Sequence, residues 1–215
     1  MKSLEHARLY GIADLGYVPE ADLERVVDAM CTGGVDVLQL RAKGYAESQI
    51  EEFGCRIEPI TRAAAVPLII NDFPELVPTI GAQGAHTGQD DRSVSDARWR
   101  AGRALSGEVE PPIIGRSTHS IVQAFQATED GADYIGFGPL FATPTKPGRP
   151  AIGLADICEV HARVSVPIFC IGGIHLDNLQ AVIDAGAQRI VVVSAILQAK
   201  DIQGYCRELK SRLPL

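Results

Sequence analysis

Residues 190–193 of this chain are Ile-Val-Val-Val, a short run in which both faces of an extended strand are apolar. Strands of this kind are typical of parallel sheets, because helices cover both sides of such a sheet. Seven further short apolar runs occur earlier in the chain. The complete set is Leu9–Asp14, Val35–Arg41, Pro67–Asp72, Gly84–Gly88, Pro112–Ser117, Ala132–Gly138, Pro167–Gly173 and Arg189–Ala195. These runs predict eight strands of one parallel sheet.

Helical patterns lie between the runs. One apolar stripe with the spacing of a helix face consists of Leu23, Val26, Val27 and Met30, and another consists of Leu176, Leu179, Val182 and Ile183. The last segment, Ile196–Leu213, is long enough for a closing helix. Because strands and helices alternate, the pattern predicts a series of βαβ units.

The number of these units predicts the fold. Eight of them in 215 residues indicate a single (β/α)₈ TIM barrel that occupies residues 1–215. This fold can be as short as ~200 residues, so the chain has no room for a second domain. A doubly wound sheet is the alternative, but a glycine-rich turn usually follows its first strand. Here Asp14-Leu15-Gly16-Tyr17 follows instead.

Composition excludes several classes of protein. The net charge of −7 argues against non-specific binding of nucleic acid, which needs a basic face. The five cysteines are dispersed without a C-x-x-C motif, which favours reduced thiols in the cytoplasm over disulfides. No apolar run is long enough to predict a membrane span or a targeting signal. We therefore expect a cytoplasmic protein that binds small molecules, and the sequence leaves a homo-oligomer open.

Polar side chains collect at the ends of the predicted strands, where TIM barrels carry their active sites. Gln39, Arg41 and Lys43 are two residues apart at the end of the second run, so they share one face of the strand. Such a group would be costly inside a sealed core, and an open barrel mouth is the expected place for it. The alternative is that Arg41 and Lys43 are solvated loop charges.

Two aspartates at neighbouring strand ends indicate a metal site. Asp72 and Asp91 come just after the third and fourth runs, and neighbouring strands lie ~4.8 Å apart. Carboxylates brought this close repel each other unless a cation or a proton lies between them. Oxygen ligands without thiolates or clustered histidines indicate Mg²⁺. Asp90 and Asp91 are also good helix caps, so we expect one to cap the next helix while the other binds the metal.

Two further segments indicate anion sites. Gly172-Gly173 and Ser194 end the seventh and eighth runs, where this fold builds a phosphate site from backbone N–H groups. After the sixth run, residues 136–148 contain three prolines and three glycines. This constrained loop presents the hydroxyls of Thr143 and Thr145 and the ammonium of Lys146, which suit a phosphate. The alternative is an ordinary turn-rich connection.

The histidines give a weaker signal. His119, at the end of the fifth run, is the candidate for contact with a substrate, whereas His86 lies inside the fourth run and is interpreted as structural. The sequence contains no convincing Ser/His/Asp or Cys/His set. The chemistry therefore need not involve a protein nucleophile.

Taken together, these strand ends resemble the thiamine phosphate synthase family. The matching segments are Gln39–Lys43, Asn71-Asp72, Gly84–Asp91, Gly115–His119, Asp133–Gly148, Ile171–Ile174 and Val192–Ile196. They cover every predicted strand except the first, in the order of the family. Each segment alone is weak, whereas seven in order are specific.

The resemblance implies a transferase of thiamine biosynthesis. In that family, 4-amino-2-methyl-5-(hydroxymethyl)pyrimidine diphosphate loses pyrophosphate with the help of Mg²⁺, and a thiazole phosphate is alkylated on its nitrogen to give thiamine monophosphate. The carbon–oxygen bond is thought to ionise first. Such a step needs the charge of the leaving group to be neutralised rather than a base.

The resemblance also implies a role for each matching residue. Asp72 and Asp91 would bind Mg²⁺. The pyrimidine diphosphate would contact Gln39, Arg41, Lys43, Asn71, Ser117 and Lys146. Arg41, Ser117 and Lys146 would be catalytic through the leaving group. The thiazole phosphate would contact Thr143, Thr145, Gly173, Ser194 and Ile196.

Two departures from the family pattern and two alternatives accompany this interpretation. Phe73 stands where the family usually has Arg or Asp, and Ala42 stands where Glu is common; by alternation Ala42 points away from Arg41.

A related thiazole tautomerase shares the fold and the Gly-Arg-Ser-x-His stretch, but we expect it to lack the Asp72/Asp91 pair. A non-catalytic phosphate binder on the same fold is the second alternative.

Overall fold

The computed structural model describes residues 4–102, 110–143 and 150–214. The parallel strands form one closed barrel in chain order, with β8 hydrogen-bonded to β1, and this confirms the predicted (β/α)₈ TIM barrel. The strands are β1 (Leu9–Asp14), β2 (Val37–Arg41), β3 (Leu68–Asn71), β4 (Gly84–Thr87), β5 (Ile113–Thr118), β6 (Tyr134–Phe137), β7 (Ile168–Ile171) and β8 (Ile190–Val192). Of the predicted site residues, Thr145 and Lys146 lie outside the described residues.

The helices surround the barrel. They are α1 (Leu23–Thr32), α2 (Glu47–Ala63), α3 (Val77–Ile80), α4 (Val94–Gly102), α5 (Ile121–Glu129), α6 (Ile157–Arg163), α7 (Leu179–Asp184), α8 (Ser194–Leu197) and α9 (Ile202–Arg212). Short 3₁₀ turns precede α1 and α3. The closing helix expected within Ile196–Leu213 is α9, and it occupies only the second part of that segment. Asp201 has an extended backbone and its carboxylate accepts from the Gly204 N–H at 2.9 Å, so a new helix begins there.

Several predicted strands are longer than the observed ones because a backbone turn ends the strand early. β3 ends at Asn71, since Asp72 has a φ of 66°, in the left-handed region. β8 ends at Val192, and α8 begins two residues later at Ser194. Both turns carry the chain from the sheet into the loops at the barrel mouth.

Strand alternation divides the apolar residues into two clusters. The larger one fills the space between the barrel and the helices. The smaller one fills the barrel interior and includes Tyr10, Ile12, Val37, Ile69, Tyr134, Phe169 and Val191. Gln39 and Arg41 have the same parity as Val37, and Asn71 has the same parity as Ile69. Period-2 alternation therefore places these three predicted site residues inside the barrel, above the apolar interior.

A buried carboxylate closes the opposite end of the barrel. Asp36 accepts hydrogen bonds from the backbone N–H of Arg8 at 2.8 Å and of Leu9 at 3.1 Å. Its third partner is the ammonium of Lys210 in α9. Burial opposes the ionisation of Asp36, but these donors outweigh it and hold the pKa of the carboxyl below its usual value. The carboxylate thus ties the first strand to the last helix.

Candidate active site

The strand ends form an inner cavity of about 80 Å³ at the barrel mouth. Seven of the predicted site residues line it: Gln39, Arg41, Asn71, Ser117, Thr143, Gly173 and Ser194. His119 also lines it, as the sequence predicted, and its Nδ1 is hydrogen-bonded to the Gly138 carbonyl. These residues lie in or just after six of the eight strands, so they meet at one place although they are dispersed along the chain.

A wider outer groove of about 490 Å³ lies beside the inner cavity. Its wall contains the predicted residues Lys43, Asp72 and Asp91, together with Asp90 and Arg92. Phe73 and Ala42, the two departures from the family pattern, also line this groove. Asn71 lines both spaces, so the groove and the cavity share a wall.

Asp72 lies in an electrostatically unfavourable position. Its N–H donates to the His86 carbonyl at 2.9 Å, which fixes the turn after β3, and its Oδ2 lies 2.9 Å from Lys43 Nζ. Burial raises the pKa of the Asp72 carboxyl; the Lys43 ammonium lowers it in part, and the negative charge of Asp91 raises it further. The two carboxylates therefore interact with each other, as the sequence predicted, and a cation between them would relieve the repulsion.

Asp91 is held by a turn rather than by a helix. Its Oδ2 accepts from the Gly88 N–H at 2.7 Å, and its own N–H donates to the Gly88 carbonyl at 3.2 Å. The prediction that Asp90 or Asp91 caps the next helix is wrong. Ser93 caps α4 instead, since its hydroxyl accepts from the Asp96 N–H at 3.2 Å. Both aspartates are consequently left at the groove.

The donor set of the groove fits Mg²⁺. Within the described part of the chain, no group of three or more His, Cys, Asp or Glu side chains is placed to hold a metal ion. Asp72 and Asp91 offer two carboxylates, and Mg²⁺ commonly takes one or two of these and completes its shell with waters and substrate phosphates. A metal at this position would thus share its coordination with a ligand.

Arg41 has a partner that the sequence interpretation missed. Its guanidinium forms an ion pair with the carboxylate of Asp14, which is almost completely buried at the end of β1. Asp14 also accepts from the Gly16 N–H at 2.9 Å. The sequence contained an indication of this pair, because Asp14 and Arg41 are the last residues of the first two predicted runs. The register of β1 and β2 then pairs them directly. The pair holds the guanidinium at the wall of the inner cavity.

A chain of side-chain hydrogen bonds forms the floor of the inner cavity. Gln39 Nε2 donates to the Tyr10 hydroxyl at 2.8 Å, and the hydroxyls of Tyr10 and Tyr134 lie 2.9 Å apart. Tyr134 is 3.1 Å from His86 Nδ1, and His86 Nε2 is 2.9 Å from Ser117 Oγ. His86, interpreted from the sequence as structural, therefore lies at the cavity and contacts a predicted site residue.

Two glycines shape the side of the cavity between β7 and β6. Gly172 and Gly173 have φ values of 104° and 67°, which side chains rarely adopt. A Cβ on Gly172 would lie 2.4 Å from Pro139 Cβ, and one on Gly173 would lie 2.8 Å from Phe141 Cβ. Glycine at both positions therefore lets the loop after β6 pack against the end of β7.

Ser194 and Ile196 lie in the four-residue helix α8, next to this glycine pair. Ser194 lines the inner cavity at the start of the helix. Ile196 is fully buried and is not part of the cavity wall formed by the described residues. Its N–H donates to the Val193 carbonyl at 3.1 Å, so its contact with a phosphate stays a prediction.

In the part of the chain that the structure describes, no helix has the length and apolar character needed to cross a bilayer.

Comparison with known proteins identifies relatives over nearly the whole chain. A family model described as thiamine monophosphate synthase matches residues 9–196. The chain is 44% identical over 199 residues to the thiamine-phosphate synthase of Thermus thermophilus, covering 92% of each protein. It is 40% identical over 205 residues to that of Chloroflexus aurantiacus, covering 95% of this chain and 91% of the relative.

A solved structure agrees with these sequence relatives. The thiamine phosphate pyrophosphorylase from Pyrococcus furiosus superposes with a TM-score of 0.83 at 29% identity, covering 95% of this chain and 94% of the other. The likeness in fold therefore extends over nearly the whole chain.

Proposed function

Because the chain belongs to the thiamine monophosphate synthase family, we propose that its barrel mouth joins 4-amino-2-methyl-5-(hydroxymethyl)pyrimidine diphosphate to a thiazole phosphate. The products are thiamine monophosphate and pyrophosphate. The protein is a transferase of thiamine biosynthesis that acts on small molecules. One observation supports the placement of each substrate. Asn71 lines both a narrow cavity and a wide charged groove, so the two spaces are neighbours.

The outer groove is proposed to hold the diphosphate. Lys43 lies in the groove, and Arg41 lies at the adjoining cavity wall, so cationic groups flank Asn71 on both sides. Asp72 and Asp91 would hold Mg²⁺, which supplies positive charge to the diphosphate as the carbon–oxygen bond breaks. Lys43 pairs with Asp72 in this structure, and a bound cation would release its ammonium toward the phosphate.

The inner cavity is proposed to receive the pyrimidine ring, with the acceptor placed across its opening, because a space of about 80 Å³ cannot enclose both. Gln39 and Ser117 line this cavity and would contact the pyrimidine, with Ser117 also close to the leaving group. A narrow cavity excludes water and so protects a cationic pyrimidine from hydrolysis. It also holds the thiazole nitrogen near attack distance, which supplies much of the rate enhancement of a two-substrate reaction.

The phosphate of the thiazole is proposed to bind at the ends of β7 and β8. Gly173 and Ser194 line the cavity there, and backbone N–H groups at such strand ends bind phosphate in many barrels of this fold. Thr143 lines the same cavity and would face the thiazole phosphate. Ile196, Thr145 and Lys146 complete the proposed set, with Lys146 acting on the leaving group.

The proposal is tested by incubating the purified protein with both substrates and Mg²⁺ and measuring thiamine monophosphate and pyrophosphate. Both products should appear in equal amounts and disappear when EDTA is added. Conversion of a thiazole tautomer without pyrophosphate release would indicate the tautomerase instead. Tight binding of thiazole phosphate without any product would indicate a non-catalytic binder.

Neighbouring aspartates provide a matched test of the metal site. Asp91→Asn keeps the turn at Gly88 but removes a carboxylate charge, and should lower turnover by about a hundredfold or more. Asp90→Asn removes the same charge one residue away and should change turnover by less than about threefold. Equal effects of the two substitutions would contradict the assignment of Asp91 as the ligand.

A cytoplasmic location is also part of the proposal. All five cysteines are thiols rather than disulfides, and three of them are buried. Proteins of oxidising compartments commonly carry disulfides instead. Fractionation of the producing cells tests this, and sedimentation of the purified protein would determine whether it forms a homo-oligomer.

A further inference from the structure

We propose that the buried hydroxyl of Tyr10 is a positioning group that fixes the direction of the hydrogen-bond chain beneath the inner cavity. In that direction His86 donates from Nε2, and the Ser117 hydroxyl keeps its own proton for a ligand. The proposal rests on the proposed function for the identity of that ligand. The direction itself follows from the donors and acceptors of the chain.

The hydrogen-bond chain begins at Gln39, and Tyr10 passes its direction on. The amide nitrogen of Gln39 can only donate, so the Tyr10 oxygen accepts this hydrogen bond. Tyr10 has a single proton left to donate, and its only other hydrogen-bond partner among the described residues is Tyr134, at 2.9 Å. Both tyrosines are almost completely inaccessible to solvent. A buried hydroxyl proton without an acceptor would be costly there, so Tyr10 donates its proton to Tyr134.

The remaining steps follow in sequence. Because the Tyr134 oxygen accepts from Tyr10, its own proton is directed to His86 Nδ1, 3.1 Å away. Nδ1 is then the unprotonated nitrogen of a neutral imidazole, and Nε2 carries the proton. Nε2 donates this proton to Ser117 Oγ at 2.9 Å. Within the described chain Ser117 Oγ has no other hydrogen-bond partner, so its proton is available to the cavity.

Burial keeps the chain in this protonation state. Burial raises the pKa of the Tyr10 and Tyr134 hydroxyls far above their usual value, so neither becomes a phenolate. Packing holds the rings in place: Phe169 contacts both tyrosines edge-on, with ring centroids 5.4 Å and 5.6 Å away. Each hydroxyl therefore contributes one proton and one fixed position to the chain.

The direction matters for the chemistry because donors and acceptors are not interchangeable at a leaving group. A hydroxyl that donates toward the diphosphate gains strength as negative charge develops on the departing oxygens. If the chain ran the other way, Ser117 would donate to His86 and present only its lone pairs to the cavity. Tyr10 does not line the groove proposed for the diphosphate, so its contribution there passes through His86 and Ser117.

Nitrogen-15 NMR of the histidine side chains tests the direction in the protein without any substrate. Long-range proton–nitrogen correlations distinguish the two neutral tautomers, and a His86→Gln variant assigns the signal among the five histidines. We expect His86 in the Nε2–H form. A spectrum in which Nδ1 carries the proton would overturn the proposal, whether or not the protein makes thiamine monophosphate.

Two hydroxyl deletions test the role of Tyr10. Tyr10→Phe should populate the Nδ1–H form of His86 and lower kcat by about fivefold, with little change in either KM. Tyr205→Phe is the control, because it also removes one bonded hydroxyl, which accepts from the Leu176 N–H at 3.2 Å and is not part of the cavity lining. If the two variants have the same kcat and the same His86 spectrum as the parent, Tyr10 does not set the direction.

The readouts separate the two proposals. Absence of thiamine monophosphate in the parent protein would refute the proposed function, while the tautomer spectrum would still decide the direction of the chain. If Tyr10→Phe does not fold, Tyr134→Phe replaces it and should give the same change of tautomer. The spectrum of the parent stands independently of both variants.

Discussion

Replacement of Gly115 should disturb the active site severely although it adds only one methyl group. A Cβ at this position would lie 2.1 Å from Cζ and 2.4 Å from the hydroxyl oxygen of Tyr134. Ordinary contact begins at 3.4 Å, so in Gly115→Ala the ring must retreat by about 1.3 Å. Tyr134 is 1% exposed and contacts the rings of Tyr10, Phe169 and His86, which leaves it no free space.

The cost follows from this geometry. Overpacking a well-packed core costs about 1–3 kcal/mol, and the upper end applies because the obstructing atoms belong to a rigid ring rather than to the end of a flexible chain. A loss of about 3 kcal/mol should lower the Tm by roughly 6–12 °C in a chain of this size. The displacement also strains the hydrogen bonds of Tyr134 at 2.9 Å and 3.1 Å, so activity should fall as well.

Gly136→Ala provides the matched control for a thermal-denaturation assay. Gly136 lies on the adjacent strand, paired with Ser117, and a Cβ there would meet only His86 Cε1 at 3.7 Å. Replacing a glycine by alanine where space exists stabilises a protein by about 0.4–1 kcal/mol, so the Tm should stay level or rise slightly. The reasoning is refuted if Gly115→Ala melts within about 2 °C of the parent, or if the control is equally destabilised.

Three further substitutions test charged groups. Asp36→Asn should lower the Tm near neutral pH and flatten the decline of the Tm from about pH 5 to pH 2. The reason is that the pKa of Asp36 is lower in the folded protein, beside Lys210, than in the unfolded chain. The carboxylate therefore stabilises the fold above the unfolded pKa, and this stabilisation is lost as the pH falls through the folded pKa. Asp14→Ala leaves Arg41 without its buried partner, and calorimetry should record a loss of about 3 kcal/mol or more; an unchanged Tm would show that the ion pair is dispensable. Asp72→Asn keeps a residue that tolerates φ of 66° but removes a partly buried charge. Its Tm without metal should therefore rise, and any stabilisation by Mg²⁺ should vanish, whereas stabilisation by Mg²⁺ equal to that of the parent would exclude Asp72 as a ligand.

Most of the fold could be predicted from the sequence because it depends on local patterns. Short apolar runs alternate with helical stripes, which indicates a parallel sheet, and eight such units in 215 residues favour the barrel over a doubly wound sheet. The period-2 alternation of β2 also identified Gln39 and Arg41 as neighbours on one face, and the structure places both at the inner cavity. The start of the closing helix was not located because apolar periodicity does not show where a cap such as Asp201 starts a new helix.

The parts of the site that were missed depend on contacts between distant segments. The hydroxyls of Tyr10 and Tyr134 meet across 124 residues, and no local pattern reports that meeting. His86 was interpreted as structural because a lone histidine in an apolar strand is usually a core residue. Its position became clear only from the register of β4 and β5, in which His86 pairs with Gly115, the residue that leaves room for the Tyr134 ring.

The carboxylate that ties β1 to α9 has a consequence for folding of the chain while it is being synthesised on the ribosome. Asp36 and Lys210 are 174 residues apart, so the partner of the buried charge is made only when the chain is almost complete. Translation delivers about 5–20 residues per second, which leaves Asp36 without that partner for roughly 10–35 s. The closing contacts between β8 and β1 form over a similarly long separation. Contacts between residues this far apart in sequence form late, because the chain loses the entropy of loop closure before the contacts contribute any stabilising free energy. The nascent chain therefore exposes the open edge of an unfinished sheet until β8 emerges and pairs with β1, and this edge is the surface that a chaperone would need to shield.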